Sequence, residues 1–234
     1  MIKGVKTMKK YMKNDDGFSL VEVAIALVLI GFIIGGVLKG QELISSAKIN
    51  AVVQNMEGYR VATHLFQEKY GALPGDFSGA SQYIRRDLRD GNGNGLLDGE
   101  GLDPGAEAGN FWVHLAASNL IQDVGKLPSN GPAFGGHGVP AEKIGGVVTM
   151  QTNPTPDRPG LWMILGKPHG MNGQGALLTP LQARTICQKM DSADPLAGRV
   201  QAGDGLDVAP GSCLKGGDFN GENTQASCVV YVQI

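Results

Sequence analysis

Charge is scarce in this 234-residue chain: Asp, Glu, Lys and Arg make up 18% of it, and 20 basic against 22 acidic residues leave a net charge of −2. With 42% hydrophobic residues, that excludes a disordered polyelectrolyte and, on bulk charge, a strongly basic nucleic-acid binder. Aromatics are few at 6%, which limits the core to a modest one for the length. The four histidines (His64, His114, His137, His169) are scattered without metal-ligand spacing. Neither a Gly-x-Ser-x-Gly elbow nor a Walker loop nor a dinucleotide fingerprint occurs. Catalysis therefore finds little support, and the chain reads as non-enzymatic. Gly135-Gly136-His137-Gly138 reads as a flexible loop, and Trp112 and Trp162 read as core. The only three cysteines, Cys187, Cys213 and Cys228, lie near the C-terminus; an odd set suggests one disulfide and a spare thiol, which fits an oxidising compartment. Gly (36) and Pro (12) are abundant enough for a loop-rich domain, yet short of low complexity.

What charge there is has a pattern. Residues 1–17 hold Lys3, Lys6, Lys9, Lys10 and Lys13 against Asp15 and Asp16, so the remainder is net acidic. Residues 18–38, FSLVEVAIALVLIGFIIGGVL, are apolar or Gly apart from Ser19 and Glu22. At 1.5 Å per residue this gives about 31 Å of helix, enough for a hydrocarbon core of about 30 Å. The positive-inside rule places the N-terminus in the cytoplasm and everything after Lys39 outside. A secretory signal peptide is one reading, with Ser45-Ser46-Ala47 as a cleavage site, but the apolar stretch exceeds the usual h-region. A plain single-span anchor is another. It leaves Glu22 unexplained, since a carboxylate in an apolar helix costs roughly 2.5–3.5 kcal/mol near the centre and less near an interface.

The third reading explains that carboxylate. Gly17-Phe18-Ser19-Leu20-Val21-Glu22, behind a basic leader and before an apolar run, resembles the prepilin cleavage motif of type IV pilins and type II secretion pseudopilins. The resemblance implies a membrane peptidase that cuts after Gly17 and methylates the new amine of Phe18. It implies that Glu22 neutralises the N-terminal ammonium of a neighbouring subunit, since pairing two charges in a dry filament offsets the cost of burying each. The leader is long, and Asp15-Asp16 stand where the family often has Lys or Arg; Met8 and Met12 are alternative starts with a shorter leader.

Beyond Gly40, apolar residues recur at helical period from Leu43 through Phe66, with polar residues between, and the helix is expected to end near Gly71 before Pro74. Gly31, Gly35, Gly36 and Gly40 form small-xxx-small pairs, read equally as close helix packing or as ordinary membrane-helix glycines. The expected organisation is leader 1–17, transmembrane and assembly helix 18–40, amphipathic continuation 41–70, and a pilin-like domain over 71–234. Within that domain Asn110 is expected to cap a helix over Phe111–Leu120. Val147–Met150 and Leu161–Leu165 are expected strands, Thr179–Gln182 is a capping box opening a helix to Met190, and Val229–Ile234 is a terminal strand. The fold class is α+β: a long N-terminal helix packed on a small antiparallel sheet.

Asp90-Gly91-Asn92-Gly93-Asn94-Gly95-Leu96-Leu97-Asp98 matches positions 1, 3, 5, 6 and 9 of an EF-hand-type calcium loop. Asp90, Asn92, Asn94 and Asp98 would offer side-chain oxygens and Leu96 its carbonyl, but position 12 is Gly101 instead of Glu. Glu100, Asp103 and Glu107 are the candidate substitutes; the alternative is a polar Gly/Asn turn. A similar stretch occurs in some pilin-like sequences. Asp218–Asn223 is a weaker second candidate, where a plain turn is favoured. Cys213 and Cys228 close a segment resembling the C-terminal disulfide loop of many pilins, which implies that pairing; Cys187 with Cys213 is the alternative. Closing a loop of that length contributes about 3 kcal/mol in the chain-entropy model.

The expected function is a structural subunit of a type IV pilus-like filament, first held in the inner (cytoplasmic) membrane. The expected partners are prepilin peptidase, other pilin or pseudopilin subunits and an inner-membrane assembly platform. The alternatives are a type II secretion pseudopilin, or a minor tip subunit or adhesin. DNA binding would need a local basic patch around Arg85, Arg86 and Arg89, against the acidic bulk of the domain.

Overall fold

A proline-free run rich in Leu, Ile, Val and Ala, passing into Gln-, Glu- and Lys-punctuated sequence, builds helix α1 (Leu20–Tyr70) in the computed structural model, which describes residues 19–234. The expected leader 1–17 and Phe18 lie outside the described residues. α1 stops where expected: Gly71 takes a left-handed φ of 69° and its N–H bonds the Gln67 carbonyl, the usual glycine C-terminal cap. The chain divides into one unit ending at Ile44 and a second spanning Ser45–Ile234.

In the first unit, α1 leaves its apolar residues uncovered; Leu27 is 64% and Phe32 77% exposed. The helix is long and apolar enough to cross a membrane. In the second unit, α1 becomes one-sided. Ile49, Val52, Met56, Ala62 and Phe66 enter the core, at the spacing of one helical stripe, while His64 and Glu68 stay exposed.

The sheet is small. β1 (Phe134–Gly135) and β2 (Gly138–Val139) form a two-residue parallel pair, and β7 (Leu214–Lys215) and β8 (Asp218–Phe219) an antiparallel one. The main antiparallel sheet contains β3 (Val147–Thr152), β4 (Leu161–His169), β6 (Val200–Asp204) and β9 (Cys228–Gln233) in the order β3-β4-β9-β6, with β5 (Asn172–Gly175) added to the end of β4. The expected strands are therefore present, β3 and β4 longer than expected and β9 shifted by one residue, and β6 fills an edge that the sequence did not signal. Side chains alternate across β4 and β9. Met163, Leu165, Val230 and Val232 join α1 in the main core. Trp162, Ile164, Val229 and Tyr231 form a second cluster on the opposite face. There Arg158 lays its guanidinium 4.3 Å from the Tyr231 ring centroid and donates to the Ala202 carbonyl, and Trp162 Nε1 donates to the Pro159 carbonyl.

α2 (Ala80–Tyr83) is a single turn, and α4 (Pro180–Met190) opens with the expected box: Thr179 and Gln182 exchange side-chain-to-backbone bonds. α3 (Glu107–Ala117) corrects the expectation at Asn110. The helix starts at Glu107, and Asn110 is a buried residue inside it, its amide donating to the Pro104 and Ala106 carbonyls. Trp112 and Trp162 are both buried, as expected.

Candidate functional site

Two places carry the polar chemistry. The first is the start of α1. Ser19 precedes the helix, and its Oγ accepts the Val21 N–H at 3.2 Å while Glu22 Oε2 accepts the Ser19 N–H at 2.8 Å. This is a reciprocal N-terminal cap of the Ser-x-x-Glu kind. Sequence reasoning missed Ser19, although its spacing to Glu22 is the same signal that marks Thr179 and Gln182. Gly17 and Phe18, the expected processing residues, lie outside the described residues. Farther along, Lys39 and Glu42 pair at 2.6 Å where the apolar run ends.

The second place is the Gly/Asn loop. Its organiser is Asp76, from the turn after α1, which is only 1% exposed. Asp76 Oδ1 accepts the N–H groups of Gly93 (2.7 Å) and Asn94 (3.0 Å), and Oδ2 accepts that of Gly95 (2.9 Å). Three successive amides thus wrap one buried carboxylate. Gly93 and Gly95 supply the left-handed φ of 74° and 83° that this wrapping requires, and a Cβ on Gly91 would collide with the Asp76 backbone. From the other side Glu107 reaches back to accept the N–H groups of Asn92 (2.7 Å) and Asp98 (3.2 Å). Sequence reasoning missed Asp76 too; an acid well upstream of a Gly-Asn-Gly-Asn run gives no local signal.

The five expected calcium donors are placed as follows. Asp90 gives both carboxylate oxygens to Ser81, to its N–H and its hydroxyl at 2.7 Å each, and these bonds hold its pKa below the ordinary value. Asn92 Oδ1 accepts the Asn94 N–H, and Asn94 Oδ1 accepts the Leu96 N–H. Their amide nitrogens both donate to Asp98 Oδ2, at 2.8 and 3.1 Å. Asp90, Asn92 and Asp98 line one open cavity of about 420 Å³ together with Arg89, Asp103 and Glu107, the last two being among the candidate substitutes; Asn94 and Leu96 do not line it. Among the described residues no three His, Cys, Asp or Glu side chains are grouped to hold a metal. Both oxygens of Asp90, Oδ1 of Asn92 and Asn94 and Oδ2 of Asp98 thus accept bonds from the polypeptide, and a cation using any of these would have to rearrange it.

The region is tied to the core by a buried histidine. His114 of α3 accepts the Gly75 N–H on Nδ1 at 2.9 Å, and its Nε2, 2.8 Å from the Arg89 carbonyl, is the donor in that contact. Burial lowers its pKa. Of the expected basic patch, Arg85 pairs with Asp87 at 2.5 Å and Arg89 lines the acidic cavity. Asp218–Asn223 lies in the β7–β8 region as a turn held by Asn220 and Asn223 amides on the Gly211 and Ser212 carbonyls, with Glu222 paired to Lys215. Cys213 and Cys228 are disulfide-bonded, and Cys187 is a free, buried thiol whose pKa burial pushes up to about 12.

Comparison with known proteins adds one finding at the first site. Residues 12–38 match the family model described as the prokaryotic N-terminal methylation motif. No curated protein and no solved structure matches the chain. The match takes in the end of the leader from Met12, with Gly17, Phe18, Glu22 and the apolar run, so the chain carries the N-terminal signature of type IV pilins and pseudopilins.

Proposed function

We propose that this chain is a non-enzymatic structural subunit of a type IV pilus-like filament. It is held in the inner membrane by the first part of α1, with the Ser45–Ile234 unit outside the cytoplasm. Prepilin peptidase cuts after Gly17 and the amine of Phe18 is methylated. An inner-membrane platform then assembles the subunit with its neighbours, the carboxylate of Glu22 meeting the Phe18 ammonium of another copy. The observation that carries the reading is the methylation motif at residues 12–38 ending in a helix whose apolar residues are uncovered. Such a surface is stable only in lipid or against other proteins. Mass spectrometry of the protein recovered from sheared filaments tests it: the expected N-terminus is methylated Phe18. A protein retaining residues 1–17 in the filament, or absent from filaments altogether, overturns the reading. Recovery in a periplasmic secretion filament instead of a surface pilus would select the pseudopilin alternative. Calcium at the acidic cavity is proposed alongside, supported by the spacing of Asp90, Asn92 and Asp98 and by the nearness of Asp103 and Glu107.

A further inference from the structure

Glu142 is a buried acid that none of the chemistry above uses. It is 5% exposed and sits between β2 and β3. Both of its carboxylate oxygens face the second part of α1: Asn55 Nδ2 donates to one at 3.0 Å and the Tyr59 hydroxyl to the other at 3.2 Å. Its backbone closes a tight turn, with the Glu142 N–H on the Gly146 carbonyl and the Gly145 N–H on the Glu142 carbonyl, both at 2.9 Å. No cation within salt-bridge distance answers the charge among the described residues. Immediately beside it lies a groove of about 630 Å³ along α1, lined in part by Asn55, Tyr59, Ile121, Val139, Ala141 and Lys143. The groove therefore shares its wall with the two donors and with both chain neighbours of the acid.

We propose that Glu142 is a proton-sensitive latch: when protonated it holds the Val139–Gly146 segment against α1, and when ionised it lets that segment open and widens the groove. The geometry gives the mechanism. In the closed state an ionised Glu142 has two neutral hydrogen-bond donors and no cation within salt-bridge distance among the described residues, in a place that water barely reaches. Opening returns the carboxylate to water. A protonated Glu142 keeps the Asn55 bond and can donate to the Tyr59 oxygen, so closure then carries no charge-burial cost. The charged and titratable groups around it are few. α1 presents Tyr59, whose own pKa is raised, first by burial and then by the charge of Glu142. The segment itself presents Lys143, and Asp123 also lines the groove. Burial raises the pKa of Glu142, against the smaller lowering effects of Asn55, Tyr59 and Lys143. By linkage, a folded pKa above the unfolded value means that closure is strongest at low pH and weakens as pH rises through the folded pKa. The total weakening is about tenfold for every pH interval of one that separates the open-state and closed-state pKa values.

Hydrogen exchange on the full chain in detergent micelles tests this directly. Protection factors of the Glu142 and Gly145 amides, corrected for intrinsic exchange, are followed from pH 5 to pH 8 in the wild type, Glu142→Gln and Tyr59→Phe. The wild type is expected to lose protection severalfold as pH rises, while Glu142→Gln, permanently neutral, stays flat at the acid-limit value. Tyr59→Phe removes a donor from the ionised form and is expected to move the midpoint to higher pH. Equal pH dependence in wild type and Glu142→Gln, a flat wild type, or an unmoved midpoint in Tyr59→Phe overturns the proposal.

Discussion

Replacing Asp76 by Ala is expected to unfasten the whole Asp90–Asp98 loop, because three successive amides lose their shared acceptor. The bonds to Gly93, Asn94 and Gly95 measure 2.7, 3.0 and 2.9 Å, and the carboxylate that receives them is 1% exposed. A hydrogen bond to a charged group contributes about 1.5–3 kcal/mol, so simple addition would give about 5–9 kcal/mol. Addition overstates the loss. Gly93, Asn94 and Gly95 are themselves exposed, so their freed N–H groups reach water, and the three bonds share one acceptor. We therefore expect a loss of about 3 kcal/mol, which for a domain of this size lowers Tm by roughly 6–12 °C. Asp76→Asn keeps one acceptor oxygen for Gly93 and Asn94 and is expected to fall between. The assay is thermal melting of the full chain in detergent, with limited proteolysis reporting on the loop: cleavage between residues 90 and 99 should appear in Asp76→Ala before the core unfolds. A variant melting within about 2 °C of wild type, with the loop still resistant, would refute the assignment of Asp76 as organiser.

His114 makes stability fall in acid: its pKa is depressed in the fold, so the unfolded chain takes up the proton first, and stability present above about pH 6.5 is lost as pH falls from there toward the folded value. Glu142 acts in the opposite sense, so the slope is read in the Glu142→Gln variant, where Tm should drop between pH 7.5 and 5.5; a flat profile there contradicts the Gly75–His114–Arg89 account. Glu22→Gln keeps an N3 amide able to complete the Ser19 cap but removes the charge, whereas Glu22→Ala removes both. Both should insert and be cleaved, and both should assemble poorly; normal filament incorporation of Glu22→Gln would show that the charge is not what assembly needs. Calcium at millimolar concentration, the range of weak extracellular sites, should raise Tm where magnesium does not, and Asp98→Ala should abolish the rise; identical curves in calcium, magnesium and chelator would remove calcium from the account.

The extent to which the fold is legible in sequence follows the range over which each signal acts. Thr179 and Gln182 exchange bonds across one turn, and their helix is readable to its last residue. The strands β3, β4 and β9 announce themselves by runs of Val, Ile, Leu and Met, whereas β6, with Val200-Gln201-Ala202-Gly203-Asp204, owes its strand state to five cross-strand partners on β9. α3 shows the opposite failure. Gly109 and Asn110 look like helix breakers, yet the Asp103 carbonyl lies where a Cβ on Gly109 would be, and the buried Asn110 amide ties the helix to Pro104. Only the folded chain brings those groups together. The Gly/Asn loop is visible in the sequence for the same local reason as the caps, while Asp76 and Glu107, which hold the loop's amides, come from outside it.

The start of α1 joins these two kinds of signal. Ser19 and Glu22 form a purely local cap, complete within four residues, and it uses only Oε2 of the carboxylate; Oε1 accepts no bond among the described residues. In a bilayer the cap gives the helix an internal partner for its first free N–H and gives the acid one hydrogen bond. That reduces the cost of holding Glu22 in the apolar segment without removing it, because Oε1 has no donor among the described residues. On the proposed reading, the Phe18 ammonium of a neighbouring copy supplies that donor. On that reading the monomer would insert without a partner, while Oε1, which accepts no bond among the described residues, would favour assembly. On that same reading, a Ser-x-x-Glu step at the head of an exposed apolar helix would serve both states with one carboxylate, its two oxygens divided between the chain's own amide and a neighbour's amine.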